Sequence, residues 1–118
     1  MNRFLRSLSF ALNGLLYIIR HERNFQIHLG AFISVCLAGF FFGITSSEWI
    51  VILLISALVM GLEAINTAIE HICDLYSTET HAGIKKIKDI SAGAVLISAI
   101  FAVCIGVAVF LPYVMKLF

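Results

Sequence analysis

The stretch WIVILLISALVMGLEAINTAIEHICD, residues 49–74, decides the fold. Its first half, residues 49–62, holds only apolar and small side chains and opens on Trp49, an aromatic residue of the kind that lies at membrane interfaces. Its second half, residues 63–74, continues the helical pattern without a glycine or proline but introduces acidic and amide side chains. The stretch therefore predicts one continuous helix that starts as a membrane span and ends as a polar helix.

Composition places the rest of the chain in the membrane as well. Of the 118 residues, 61% are hydrophobic and 13% are charged, whereas a soluble domain carries about a quarter charged residues. A span needs about 20 residues, so the length allows a single domain, residues 1–118, with at most about four spans. The formal net charge of +1 gives no overall basicity that would indicate a nucleic-acid partner. We expect an all-α integral membrane protein.

The apolar pattern divides the chain into one surface segment and three spans. Residues 2–22 alternate basic and apolar side chains at helical spacing, as in helices that lie in the membrane interface, and we predict an interfacial segment over residues 1–28. We predict transmembrane helices over residues 29–46, 48–76 and 88–112, with the Thr and Ser side chains of residues 45–47 capping the second and Pro112 ending the third. In the third helix a small residue recurs every four positions, which favours close helix packing. These residues are Ala94, Ser98, Ala102 and Gly106.

The distribution of lysine and arginine predicts the orientation of the chain in the membrane. The N-terminal segment is basic, the turn at residues 45–48 has neither lysine nor arginine, and the connection at residues 77–89 holds Lys85, Lys86 and Lys88. Because positive residues stay on the cytoplasmic side, we expect the N-terminus and the second connection to face the cytoplasm. The polar half of the helix over residues 49–74 then ends on that same side.

Acidic and amide side chains form a stripe along this polar helix. At 100° per residue, one face spanning about 100° holds all of its members. They are Glu63, Asn66, Thr67, Glu70 and Asp74. Carboxylates stacked on one face repel each other, and an ionisable group at membrane depth is costly, so the stripe needs a cation or a proton. The lysines of the connection, the arginines near the N-terminus and a divalent metal can each supply positive charge.

The residues alone leave the role of the stripe open. Oxygen ligands of this type suit Mg²⁺, which takes one or two carboxylates and completes its shell with water and phosphate oxygens. With Glu22 as a further carboxylate and Glu63 as the deepest acid, the set resembles half of a phosphoryl-transfer site. A proton-coupled transporter would instead use Glu63 as its switching carboxylate, and a noncatalytic assembly factor would use Asn66 as an interhelical hydrogen-bonding group. His28 and His71 are expected to be hydrogen-bonded or interfacial side chains.

The stripe and its surroundings resemble the signature of the small prokaryotic diacylglycerol kinase family, which includes the undecaprenol kinases. The similarity covers nearly the whole chain. Its central motif is Glu63-Ala64-Ile65-Asn66-Thr67-Ala68-Ile69-Glu70, followed by Asp74, Lys88-Asp89 and Ala92-Gly93-Ala94-Val95. Two further segments are more similar to the undecaprenol kinase branch. They are Glu22-Arg23-Asn24-Phe25 and the closing Phe110-Leu111-Pro112.

This resemblance implies an integral membrane homotrimer in the cytoplasmic membrane of a bacterium. It implies transfer of the γ-phosphate of ATP, with Mg²⁺, to the hydroxyl of undecaprenol or diacylglycerol, feeding lipid phosphate recycling or phospholipid metabolism. Glu63 would be the catalytic base with Asn66 in the same site, and Glu22 and Glu70 would hold the metal. The residues implied on the nucleotide side are Arg3, Phe10, Glu22, Glu70, Asp74, Glu79, His81, Lys88 and Asp89. Phe10 stands where some family members have a tyrosine.

Overall fold

The computed structural model describes residues 2–76, 79 and 81–118, and this part of the chain contains α-helices and no strand. The helices are α1 (Arg3–His21), α2 (Arg23–Phe42), α3 (Ser46–Tyr76) and α4 (Ala82–Met115). The last three are long and apolar enough to cross a membrane. The predicted all-α membrane fold, with an N-terminal helix and three spans, is therefore confirmed.

The first helix ends at His21, in agreement with its amphipathic pattern but before the predicted segment boundary at residue 28. Glu22 has an extended backbone, with φ −105° and ψ 106°, and α2 begins at the next residue. The side-chain amide of Gln26 donates to the carbonyl of Ile19 at 2.9 Å across this break. Because that bond satisfies a carbonyl left free at the end of α1, the chain changes direction here without glycine or proline. Residues 23–28, predicted in the surface helix, form the first turns of α2 instead.

The turn from α2 to α3 follows the chemistry that the sequence indicated. Gly43 has φ 63° and ψ 48°, the left-handed conformation that commonly ends a helix. The Oγ1 of Thr45 accepts a hydrogen bond from the backbone N–H of Glu48 at 3.2 Å, which confirms that a hydroxyl side chain of this turn caps α3. Behind the turn, Trp49 lies so close to Gly39 that a Cβ on the glycine would be 2.7 Å from Cη2 of the indole.

The long helices α3 and α4 make the most extensive contact in the molecule, and α3 also packs against α2. Ile52 and Val59 of α3 and Val95 and Ser98 of α4 are buried. The Ser98 hydroxyl donates to the carbonyl of Val95 at 2.8 Å, so this buried hydroxyl is satisfied within its own helix. Ser98 belongs to the small-residue row that predicted close packing on α4.

Both ends of α4 differ from the sequence prediction. The helix starts at Ala82 rather than near residue 88, so the lysines of the predicted connection lie on its first turns. At the other end it runs through Pro112 to Met115. Proline removes one N–H from the helix, but membrane helices tolerate this where a neighbouring helix supports the backbone. The next residue, Tyr113, joins this end of α4 to α3, because its hydroxyl lies 3.0 and 2.9 Å from the two carboxylate oxygens of Glu48 and donates to them.

Candidate active site

The polar side chains of α3 lie at one end of the bundle, where residues 17–28, 63–76 and 81–89 meet; we call this the polar end. Glu63, Asn66 and Thr67 are buried, with 4%, 3% and 4% of their surface exposed. Glu70 is half-buried and Asp74 is exposed. The predicted stripe therefore leads from the interior of the bundle to its surface within one helix.

Asn66 has one satisfied side and one open side. Its side-chain N–H donates to Oε1 of Glu70 at 3.2 Å, one turn along α3. Its carbonyl oxygen, Oδ1, is buried and has no hydrogen-bond partner among the described residues. Leaving a buried acceptor unpaired costs about 1–3 kcal/mol, so native proteins rarely do it without a functional reason. The open oxygen marks a place where a donor or a cation can bind.

Glu63 faces a histidine of the neighbouring helix. Oε2 of Glu63 lies 3.9 Å from Nε2 of His28 on α2, and the two side chains are 5% and 24% exposed. The charges of Glu70 and Glu22 also act on the Glu63 carboxylate. Glu22 and Glu70 thus lie near enough to Glu63 to disfavour a negative charge on it.

The break between α1 and α2 directs Glu22 toward α3. Oε1 of Glu22 lies 3.4 Å from Nε2 of His71. The ring of Tyr17 on α1 meets the His71 ring edge-on, with 5.8 Å between centroids, and stacks on His21 at 4.6 Å. A single extended residue therefore joins the surface helix to the spanning helix and delivers a carboxylate to the end of α3.

The lysines pair with acids outside the buried part of the stripe. Nζ of Lys88 donates to Oδ1 of Asp74 at 2.7 Å and so joins the end of α3 to the start of α4. Nζ of Lys85 donates to Oδ2 of Asp89 at 2.6 Å, one turn along α4, where both side chains are exposed. Within the described residues, no lysine or arginine forms an ion pair with Glu22, Glu63 or Glu70. Histidines lie there instead.

The remaining predicted residues lie farther from the stripe. Glu79 is exposed in a bend between α3 and α4, and His81 is exposed directly before α4. His81 borders an apolar pocket of about 620 Å³ between the end of α3 and the start of α4. Arg3 and Phe10 lie in the first half of α1 and are exposed. Among the described residues, their side chains make no hydrogen bond, ion pair or ring contact with α3.

The oxygen atoms at the polar end are suited to a magnesium ion. Glu22 and Glu70 offer carboxylates, and the unpaired Oδ1 of Asn66 is a further hard oxygen. Among the described residues no cluster of three or more acidic, histidine or cysteine side chains could hold an ion by itself. Such an open set suits Mg²⁺, which keeps several waters and takes phosphate oxygens as ligands rather than requiring a cage made only of protein.

His28 and His71 were predicted as hydrogen-bonded or interfacial side chains, without the groups that they meet, and no role was predicted for Tyr17. The structure places each histidine against a carboxylate of the candidate site, and Tyr17 against His71. One signal was available, since His71 directly follows Glu70. His28 carried no such signal, because its proximity to Glu63 depends on how α2 packs against α3.

The chain is similar to known proteins over most of its length. Residues 9–110 match the family model described as prokaryotic diacylglycerol kinase. The undecaprenol kinase of Bacillus subtilis is 40% identical over 112 residues, which cover 95% of this chain and 91% of that enzyme. A diacylglycerol kinase of Synechocystis sp. is 38% identical over 112 residues, covering 94% of this chain and 64% of the relative. A diacylglycerol kinase of Sinorhizobium sp. is 35% identical over 88 residues, covering 75% of this chain and 64% of the relative.

Proposed function

This chain belongs to the prokaryotic diacylglycerol kinase family and is a membrane lipid kinase, and we propose that it transfers the γ-phosphate of ATP to a lipid hydroxyl. The lipid is undecaprenol or diacylglycerol, the alcohols that give the relatives their names. The match to undecaprenol kinase covers 91% of that enzyme and supports the prenol as the first substrate to test. The phosphorylated product would enter lipid phosphate recycling or phospholipid metabolism.

The observation that carries this proposal is that the stripe on α3 is buried but has hydrogen-bonding capacity that the described residues do not fill. Glu63 and Asn66 are almost fully buried, yet the Asn66 carbonyl oxygen has no partner in the described part of the chain. Polar residues that only join helices would have their hydrogen bonds filled. A site for a hydroxyl, phosphates and a metal needs open oxygens and uncompensated negative charge, and the stripe provides both.

In the proposed reaction, Glu63 accepts the proton of the lipid hydroxyl. The hydroxyl oxygen forms a bond to the γ-phosphorus while the bond from that phosphorus to the bridging oxygen of the β-phosphate breaks, which releases ADP. Asn66 orients Glu70 through its N–H, and Lys88 stabilises negative charge on the phosphoryl group. Glu22 and Glu70 would hold Mg²⁺, which neutralises phosphate charge when it is bound.

We assign the nucleotide to the helix ends joined by Lys88 and Asp74. Their 2.7 Å contact and the 620 Å³ pocket beside His81 support this assignment, since small-molecule sites have volumes of about 300–1,000 Å³. Glu79 and Asp89 complete the proposed set at this end. Arg3 and Phe10 are assigned to the nucleotide from the family resemblance alone.

We further propose that the protein is a homotrimer in the cytoplasmic membrane of a bacterium, with its polar end toward the cytoplasm. The family resemblance supports the trimer. The basic residues at the N-terminus and at the start of α4 support the orientation, because lysine and arginine accumulate on the cytoplasmic side.

The test is phosphate transfer from labelled ATP by the purified protein in mixed micelles, with undecaprenol and diacylglycerol offered separately. We expect a Mg²⁺-dependent phospholipid product that is lost in Glu63→Gln. The lipid with the higher kcat/KM is the preferred substrate.

No product with either lipid, from folded wild-type protein, would contradict the lipid kinase proposal. Proton uptake into vesicles that depends on Glu63 but not on Lys88 would then favour the transporter alternative.

A further inference from the structure

An apolar cleft borders His28 and runs into the membrane-spanning part of the bundle. It has a volume of about 260 Å³ and lies between α2, α3 and α4. Its lining is apolar except for His28 at one end and Ser56. His28 therefore belongs to two features at once, because it faces Glu63 on the site side and borders the cleft on the membrane side.

The distance between His28 and Glu63 fits a bridging hydroxyl. At 3.9 Å, Nε2 and Oε2 are beyond direct hydrogen-bonding distance, which is about 2.7–3.2 Å. An oxygen placed to one side of the line between them can lie about 2.8 Å from each atom. Glu63 is the polar partner of His28 among the described residues, so this nitrogen is available to a third group.

We propose that the lipid hydroxyl is held between Glu63 and His28, with the adjoining part of one apolar chain in the cleft. The hydroxyl donates its hydrogen to Oε2 of Glu63 and accepts a hydrogen bond from the Nε2–H of His28. The hydroxyl proton then moves to Glu63 as the new bond to phosphorus forms, and His28 keeps its own proton throughout. This inference rests on the proposed kinase function and adds a residue that binds the acceptor alcohol.

The cleft has room for one apolar chain. A volume of about 260 Å³ is at the low end for small-molecule sites, so it suits a segment of one chain rather than two chains side by side. Small residues on α4 create the space: Ala99, Ala102 and Gly106 line the cleft, and a Cβ added at Gly106 would meet no atom within 4 Å. The cleft is continuous with His28, so the chain that follows a bound hydroxyl enters it directly.

The first experiment compares His28→Ala and His28→Gln with the wild type in the micelle assay, with farnesol and dioleoylglycerol as acceptors. The amide N–H of glutamine can replace the Nε2–H donor. We expect His28→Ala to raise KM for the alcohol about fivefold or more, the loss of one hydrogen bond, with an unchanged KM for ATP. We expect His28→Gln to recover most of the loss.

The matched control is His21→Ala, which removes an exposed histidine of α1 whose Nδ1 lies 3.0 Å from the Tyr17 carbonyl. We expect its alcohol KM to equal that of the wild type. An active wild type together with unchanged alcohol KM values in His28→Ala would overturn this inference and leave the kinase function standing. Inactive wild-type protein would overturn the proposed function itself.

A second experiment fills the cleft and leaves His28 unchanged, so its outcome does not depend on whether His28 variants fold. Ala102→Leu places a larger side chain in the cleft, whereas Ala57→Leu adds the same side chain at an exposed position of α3. We expect the KM for farnesol to be at least fivefold above the wild-type value in Ala102→Leu and unchanged in Ala57→Leu. Both variants should be helical by circular dichroism. Equal farnesol KM values in the two variants would exclude the cleft as the chain site.

Binding without turnover gives an independent readout. In protein labelled at histidine, farnesol added without nucleotide should shift the ring resonances of His28 but not those of His21. Absence of a shift at saturating farnesol would contradict direct contact between His28 and the alcohol.

Discussion

Two glutamates of the same helix, Glu48 and Glu63, show how differently the two ends of this bundle are built. At the end formed by residues 39–49 and 110–116, which we call the clasp end, the Tyr113 hydroxyl donates to both oxygens of Glu48. Glu48 also lies in the first turn of α3, where the helix dipole favours a negative charge. At the polar end, Glu63 lies 3.9 Å from a histidine and near two further carboxylates.

The difference separates polar groups that join helices from polar groups that are left without a partner in the described residues. The clasp end uses its polar groups to join α3 to α4, and it packs Trp49 against Gly39 so closely that no side chain fits between. The polar end leaves an amide oxygen of Asn66 without a partner in the described residues. Unfilled hydrogen-bonding capacity reduces stability but is available to substrates.

The largest expected effect separates the two glutamates. Glu63→Gln should lower kcat about 10²- to 10⁴-fold because it removes the proton acceptor, and it should not lower the temperature of thermal unfolding. Glu48→Gln should leave kcat within about twofold and lower the unfolding temperature, since the amide accepts the Tyr113 hydrogen bond less strongly than a carboxylate does. Initial rates and thermal unfolding in the same micelles measure both. Equal losses of kcat in the two variants would contradict the division of roles.

The next effect compares lysines at the two ends. Lys88→Met should lower kcat about 10²-fold, because it removes the cation proposed to stabilise the transferring phosphoryl group. Lys116→Met, at the clasp end, removes an ammonium 5.8 Å from the centre of the Tyr113 ring and should leave kcat unchanged. Steady-state kinetics with ATP varied would detect the difference. Full activity in Lys88→Met would remove Lys88 from the mechanism.

A smaller effect compares Asn66 with Thr45. Asn66→Ala should lower kcat about tenfold, because Glu70 loses its hydrogen bond, while the unfolding temperature stays equal or rises as a buried unpaired oxygen is removed. Thr45→Ala should keep full activity and destabilise the protein by about 1 kcal/mol through loss of the helix cap. If Asn66→Ala proved less stable than the wild type, this would contradict the idea that the unpaired oxygen of Asn66 destabilises the folded protein.

The smallest effect concerns packing at the clasp end. Gly39→Ala would place a Cβ 2.7 Å from Cη2 and 2.8 Å from Cζ2 of Trp49, so the indole must move, at a cost of about 1–3 kcal/mol. Phosphate transfer should be unchanged, since the site lies at the other end. The emission of Trp49, the single tryptophan of the chain, reports the displacement. If Gly39→Ala had the emission and stability of the wild type, the contact between residue 39 and Trp49 would not be tight.

Much of the candidate site was predictable because it lies within one helix. Glu63, Asn66 and Glu70 are on a common face for any helix of this sequence, and the structure buries the first two. The boundaries were less predictable. Gln26 caps the end of α1 by bonding to a carbonyl seven residues away, and Tyr113, directly after Pro112, bonds to Glu48 of α3. Neither contact is visible in local propensity.

By itself the sequence determined the class of fold and the helix that carries the stripe of acidic and amide side chains. Long apolar runs without charge can satisfy their backbone in lipid only as helices, and helical periodicity then places the acids of α3 on one face. Tertiary structure alone decided which groups meet those acids. His28 reaches Glu63 and His71 reaches Glu22, because the break at Glu22 and the packing of α2 on α3 set positions that no spacing along a single helix encodes.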